Sequence, residues 1–155
     1  MRDFDFPGRS TVHACNGMAA TSHPLATGVA VDILRRGGNA LDAAIAASAT
    51  LAVVEPQSTG IGGDCFALMC FGGKDEVIGF NGSGRSPAAA TLDRFLEQDM
   101  SEIGPTSVHT VTMPGAVDAW TALHQAHGRT EFAALLAPAI AYARDGYPVH
   151  ARVRF

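Results

Sequence analysis

The chain has 155 residues, 47% hydrophobic and 17% charged, which is enough apolar material for one packed core and excludes a disordered chain. Its net charge of −4, with Lys74 the only lysine and ten arginines scattered along the chain, excludes an electrostatic footprint for nucleic acid. No apolar run reaches the roughly 18 residues of a membrane span, and Met1-Arg2-Asp3-Phe4-Asp5 lacks the layout of a signal peptide, so the chain as written is expected in the cytoplasm unless a leader has been removed.

Residues 1–11 are polar and aromatic without periodicity and read as an extended arm. Val12 to Ala20 reads as a short strand of small residues. Pro24 suits a first helical turn, and Leu25, Val29, Ile33 and Leu34 recur at helical spacing up to Gly37-Gly38, where glycine can take the left-handed stop conformation. Asn39 follows as a cap, with Asp42 in the acidic position that complements a helix N-terminus. From Ala40 to Val54 almost every side chain is apolar and most are alanine, the pattern of a helix buried on all sides, until Glu55-Pro56 stops it. This helix is expected at the centre of the fold.

After the loop Gly60-Ile61-Gly62-Gly63-Asp64, the runs Cys65–Phe71 and Glu76–Phe80 are separated by Gly72-Gly73-Lys74-Asp75. That link is too short for a parallel crossover, so an antiparallel hairpin at about 65–80 is expected. A glycine-rich loop, Asn81 to Arg85, leads to a short helix around Thr91 to Gln98, and residues 99–110 read as irregular and exposed. Pro114-Gly115 opens a helix with Ala116, Trp120, Leu123 and His127 on one face, closed by Gly128. Thr130 is the expected cap of a last helix carrying Phe132, Leu135, Leu136, Ile140 and Ala143 along one side. Pro138 falls inside it and predicts a kink or two abutting pieces. The end at Phe155, with no helix stop or polar tail, reads as cut. The whole reads as one α+β unit dominated by helices.

Candidate chemistry is sparse. Cys15, Cys65 and Cys70 cannot all pair within the chain and lack zinc-site spacing, so buried free thiols are expected. Gly60-Ile61-Gly62-Gly63 could cradle a phosphate, but it follows a helix and precedes a strand, the reverse of a nucleotide-binding loop, and no cofactor is expected. Thr21-Ser22-His23 juxtaposes hydroxyls with an imidazole, yet without an orienting carboxylate it reads better as a hydroxyl-rich turn entering the helix at Pro24. Histidines 13, 109, 124, 127 and 150 form no metal-spaced set with a carboxylate, so no metal is expected. Arg85, in Asn81-Gly82-Ser83-Gly84-Arg85-Ser86-Pro87, could grip a carboxylate through two parallel N–H bonds, or be an ordinary surface or salt-bridged arginine.

Taken in order, Gly37-Gly38-Asn39-Ala40-Leu41-Asp42-Ala43-Ala44, Val54-Glu55-Pro56, Thr59-Gly60-Ile61-Gly62-Gly63-Asp64, Gly84-Arg85-Ser86-Pro87-Ala88, Met113-Pro114-Gly115 and Ala137-Pro138-Ala139-Ile140 with Ala143-Arg144-Asp145-Gly146 resemble the large-subunit landmarks of the γ-glutamyltranspeptidases. The resemblance covers roughly residues 12–150 and points to the divergent branch that shares its fold with cephalosporin acylases.

The resemblance implies an N-terminal-nucleophile hydrolase whose precursor cuts itself into large and small subunits, together forming a four-layer αββα sandwich. A threonine freed at the start of the small subunit attacks a γ-glutamyl amide such as glutathione, and that residue lies beyond this chain; Thr21-Ser22-His23 only looks like its Thr-x-His context. Residues 1–155 are then a partial large-subunit domain with no catalytic residue. Its implied partners are the remainder of the large subunit, the small subunit and a small-molecule substrate. The family holds the donor α-carboxylate with an arginine ahead of the proline matching Pro87; here Ser83 stands four before that proline and the arginine comes two positions later, making Arg85 the candidate ligand. A cephalosporin or glutaryl acylase-like enzyme, or a non-catalytic scaffold fragment, are the alternatives. Apolar faces and strand edges meant for the rest of the protein are expected to be exposed.

Overall fold

A computed structural model describes residues 11–72 and 74–149. The arm expected over residues 1–11 lies outside them except for Thr11, as do Gly73 of the hairpin link, His150 and the end at Phe155.

Helix α1 spans Pro24–Arg35, with proline in the first turn, where its missing N–H would have no intrahelical partner. It stops where the sequence predicts. Gly37 takes φ +94°, its N–H bonds to the Leu34 carbonyl at 3.1 Å, and the Gly38 N–H bonds to the Ile33 carbonyl at 3.0 Å. This pair of bonds is the Schellman arrangement, which satisfies carbonyls a helix end would otherwise orphan.

Helix α2, Ala40–Val54, begins one residue later with a reciprocal capping box. Asn39 Oδ1 accepts the Asp42 N–H and the Asp42 carboxylate accepts the Asn39 N–H, both at 2.9 Å. Its alanines 43, 46, 47 and 49 are buried, and α1, α5 (Phe132–Asp145) and α4 (Ala116–His127) all pack on it. Small side chains let those neighbours approach closely, so the core is built on α2. Thr50, fully buried in this helix, donates its hydroxyl to the Ala46 carbonyl at 2.8 Å and leaves no unmet donor.

Strands β1, Cys65–Cys70, and β2, Val77–Gly82, form the expected antiparallel hairpin, with Cys65 opposite Gly82 and Cys70 opposite Val77. The second strand runs two residues further than the expected end at Phe80. Period-two alternation gives the ribbon two faces. Cys65, Ala67, Met69 and Phe80 pack on the helical core, while Phe66, Leu68 and Val77 on the other face are 65%, 82% and 63% exposed.

The short α3, Leu92–Leu96, is capped by the Thr91 hydroxyl, and Val108–Thr110 is a single 3-10 turn in the exposed stretch before α4. Helix α4 buries Ala116, Ala119, Trp120 and Leu123.

Five local expectations are corrected. Residues 12–20 form no strand; this segment has no regular partner and lies along α1, with Leu34 beside Gly17. Thr130 does not cap α5: the cap is Glu131, with no side-chain bond, because the Thr130 N–H and hydroxyl are both taken by Asp42. Helix α5 continues through Pro138 as one element rather than two abutting pieces, buried through Leu135 and Ala139, and Ile140 is 56% exposed rather than on the packed side. Packing of that short buried stripe on α2 offsets the single backbone bond that proline removes. The three cysteines are free thiols, but Cys15 and Cys70 are exposed and Cys65 is half-buried. Cys15 falls in the irregular segment and Cys70 on the outer face of the hairpin, which no other described element covers.

Among the described residues no helix is long and apolar enough to cross a membrane.

Candidate functional site

Three glycine-bearing landmarks that are far apart in sequence meet at one end of β2. The carbonyl of Gly63 accepts the N–H groups of Gly115 and Ala116, both at 3.0 Å. The Arg85 carbonyl accepts the Met113 N–H at 2.9 Å, and the Ser83 carbonyl accepts the Thr112 hydroxyl at 3.0 Å. Segments 60–64, 82–85 and 112–116 are thereby fixed to one another through backbone groups.

Glycine is required at this crossing. Gly84 has φ +75°, and a Cβ there would overlap the Met113 carbonyl; a Cβ at Gly115 would overlap the Gly82 carbonyl, and one at Gly82 the side chain of Ala119. Nothing but hydrogen fits between these chains, and Gly84 also needs the left-handed backbone that glycine alone takes without cost. Asn81 tightens the entry, its Oδ1 accepting the Ser83 N–H at 3.0 Å.

The crossing borders a cavity of about 380 Å³. Arg85 and Asp118 bring its two charges, and Phe80, Asn81, Met113 and Pro114 complete much of the wall. The Arg85 side chain is exposed and, among the described residues, makes no hydrogen bond or ion pair, so it is not salt-bridged; a carboxylate ligand and an ordinary surface arginine both fit this placement. Its backbone is held while its guanidinium is uncommitted. Asp118, in the first turn of α4, carries no motif and is not found by sequence reasoning. The available signal, an acid near a helix start, is shared by many structural residues.

The remaining sequence candidates resolve as structure. In Thr21-Ser22-His23, His23 is almost fully buried and caps α1, its Nδ1 accepting the Leu25 N–H at 3.2 Å. The Thr21 hydroxyl donates to the His23 carbonyl at 2.7 Å and lies 2.8 Å from the Thr27 hydroxyl, while Ser22 donates to Glu55 at 2.5 Å. Each hydroxyl holds the turn. His124 Nε2 lies 2.6 Å from the Thr130 carbonyl, and the His127 ring packs on Phe71 with centroids 4.7 Å apart. Among the described residues no group of three or more His, Cys, Asp or Glu side chains could hold a metal ion.

Cys65 lies beneath this region. Burial pushes its thiol above the ordinary cysteine value; a hydrogen bond with Trp120 works against that shift and the nearby Asp64 charge adds to it. A thiol held in its neutral form is a poor nucleophile.

Residues 26–154 match the model of the γ-glutamyltranspeptidase family. The chain is 43% identical over 135 residues to a glutathione hydrolase-like YwrD proenzyme of Bacillus subtilis, covering 86% of this chain and 25% of that one. It superposes on a cephalosporin acylase of Bacillus halodurans with a TM-score of 0.84 at 47% identity, covering 97% of this chain and 28% of that one. It also superposes on the γ-glutamyltranspeptidase of Helicobacter pylori with a TM-score of 0.81 at 31% identity, covering 92% of this chain and 42% of that one. The chain thus spans about a quarter of the length of the curated relatives it matches. Its helices and hairpin are a helix-rich α+β portion of the fold those enzymes share. With a family match over most of its length, close superposition on solved members and the ordered landmarks in place, the chain belongs to the γ-glutamyltranspeptidase family.

Proposed function

We propose that this chain is the N-terminal portion of the large subunit of an enzyme that cleaves γ-glutamyl amides, glutathione among them, by hydrolysis or by transfer to an amino acceptor. The nucleophile is a threonine outside the chain, at the start of a small subunit released from the same precursor. Its own α-amine serves as general base, and the resulting acyl-enzyme is resolved by water or by an amine. Residues 1–155 form a partial large-subunit domain within this arrangement, and the rest of the large subunit and the small subunit are its partners.

The observation that carries the reading is the uncommitted guanidinium of Arg85 beside a cavity whose wall is a rigid backbone crossing. A planar cation held this way suits a carboxylate, which it can meet with two parallel N–H bonds. Arg85 is therefore the candidate ligand of the donor α-carboxylate. The uncovered ribbon face of Phe66, Leu68 and Val77 supports further chain packing there, as does the description of the Bacillus subtilis relative as a proenzyme.

A second reading, a cephalosporin or glutaryl acylase-like amidohydrolase, is favoured by the 47% identity to the Bacillus halodurans acylase. Turnover of γ-glutamyl and glutaryl anilides by the complete, self-cleaved protein separates the two, because only the first donor presents an α-amino group. Preferred turnover of the γ-glutamyl anilide is expected. Turnover of neither overturns both readings, and hydrolysis by purified residues 1–155 alone overturns the placement of the nucleophile.

A further inference from the structure

The chain has three asparagines, and two of them, Asn16 and Asn81, precede a glycine. The backbone nitrogen of the following residue can attack an asparagine side chain at Cγ, and glycine, with no Cβ, hinders that approach least. The fold treats the two pairs differently. Asn81 and Gly82 lie in β2, opposite Phe66 and Cys65 of β1, and Asn81 Oδ1 already accepts the Ser83 N–H at 3.0 Å. Asn16 is exposed, in the segment before α1 that has no regular structure. Among the described residues neither its side chain nor the Gly17 N–H makes a hydrogen bond, and Gly17 takes φ +133°, a conformation that residues with a Cβ rarely adopt. The other places where such a ring could close are occupied. Asn39 spends its side-chain amide on the Asp42 N–H and the His127 carbonyl. At Asp145-Gly146 the glycine N–H bonds to the Tyr142 carbonyl at 3.0 Å and the carboxylate pairs with Arg144 at 2.7 Å.

We propose that Asn16-Gly17 is a site of spontaneous deamidation, which converts Asn16 to aspartate or isoaspartate in the folded protein. The Gly17 nitrogen forms a bond to Asn16 Cγ, the bond from Cγ to Nδ2 breaks, and ammonia leaves with the proton that Gly17 gives up. A cyclic imide remains. Water then opens it, at Cγ to give aspartate or at the main-chain carbonyl to give isoaspartate, so the net change is water in and ammonia out, with no oxidation or reduction. Either product places a negative charge ahead of α1, and isoaspartate also lengthens the main chain by a methylene. Residues 12–20 pair with no strand among the described residues, so the longer backbone breaks no ladder there. Neither Asn16 nor Gly17 lines the Arg85 cavity, so deamidation and the proposed activity can be tested separately.

The test incubates the complete, folded protein at mildly alkaline pH and maps it by peptide mass spectrometry over time, reading the exchange of ammonia for water at each asparagine. Asn16 should convert about tenfold or more faster than Asn81, because β2 must open locally before the second pair can react. In urea, where both are simply Asn-Gly in an open chain, the two rates should converge. Asn16→Gln, which would have to close a larger ring, should leave position 16 unmodified while Asn81 converts at its former rate. Folded protein in which Asn16 converts no faster than Asn81 overturns the inference. A preference for Asn16 that persists undiminished in urea overturns it as well, since the fold would then have no part in the selection.

Discussion

The carboxylate of Asp42 accepts both the backbone N–H and the side-chain hydroxyl of Thr130, each at 3.2 Å, across 88 positions of sequence. The Arg129 N–H adds contacts of 3.1 and 3.3 Å to the two oxygens, and Asn39 reinforces the joint by donating its side-chain amide to the His127 carbonyl at 2.7 Å. One capping box thereby fastens the start of α2 to the turn between α4 and α5. The carboxylate is fully buried and makes no ion pair among the described residues, and these donors replace the water it has lost.

Replacing Asp42 is expected to be among the most damaging single changes in the protein. Asp42→Ala leaves three backbone N–H groups without their acceptor and should cost about 3 kcal/mol of stability. Asp42→Asn keeps the volume but turns one acceptor into a donor facing other donors, so it should recover little. Thr130→Val removes only the hydroxyl and should cost about 1 kcal/mol. Urea midpoints for the three variants check the order; equal midpoints for Asp42→Ala and Thr130→Val would show that the backbone bonds to Asp42 contribute nothing.

The glycines of the crossing should separate by geometry rather than by residue type. Gly84→Ala meets both a left-handed backbone and the Met113 carbonyl and should lose about 3 kcal/mol, with loss of activity because the arginine loop must move. Gly37→Ala carries the left-handed conformation with open space around it and should lose only about 1 kcal/mol. Gly104→Ala, with neither constraint, should be near neutral. Thermal melts of the three in parallel are the check, and a Gly84→Ala melt matching that of Gly104→Ala would remove the close approach from the account of the site.

Much of this fold is legible in the sequence, and what is legible has a physical cause. Signals confined to a few adjacent residues came through: Pro24, the Gly37-Gly38 stop, the Asn39-Asp42 cap and the Glu55-Pro56 end fixed α1 and α2. What failed depended on distant partners. The run Val12–Ala20 has strand-like residues but no strand beside it, and Thr130 has the chemistry of a cap but is claimed by Asp42. The site divides the same way. Arg85 stands out through its glycine and proline neighbours, whereas only the fold brings Asp118 to the wall of the same cavity.

The cysteines should differ in reactivity in an order set by exposure. Cys15 and Cys70 are exposed, whereas Cys65 is half-buried under Trp120 with its thiol pushed above the ordinary value. A raised value means less thiolate at any given pH, so Cys65 should alkylate last, and its rate should still be climbing at pH values above the ordinary thiol value. Peptide mass spectrometry after timed alkylation of the folded protein reads all three sites at once. Faster labelling of Cys65 than of Cys70 would contradict the packing beside Trp120.

Arg85 carries the sharpest functional expectation. Arg85→Ala in the complete enzyme should raise the donor KM by about tenfold or more, because the carboxylate loses a charge-assisted pair of bonds, while kcat at saturating donor falls less. Arg85→Lys should rescue poorly: an ammonium keeps the charge but not the planar fork, and its flexible stem does not hold the separation from the opposite wall of the cavity. The split between KM and kcat distinguishes a ligand of the ground-state donor from a residue that merely supports the loop, since loosening the loop would lower kcat and stability together. The Gly84 and Gly115 contacts hold the Arg85 backbone independently of its side chain, so Arg85→Ala should also melt within a degree or two of the parent. An unchanged KM in a normally folded Arg85→Ala enzyme would take this residue out of the donor site and return the search to Asn81 and Ser83 on the same wall.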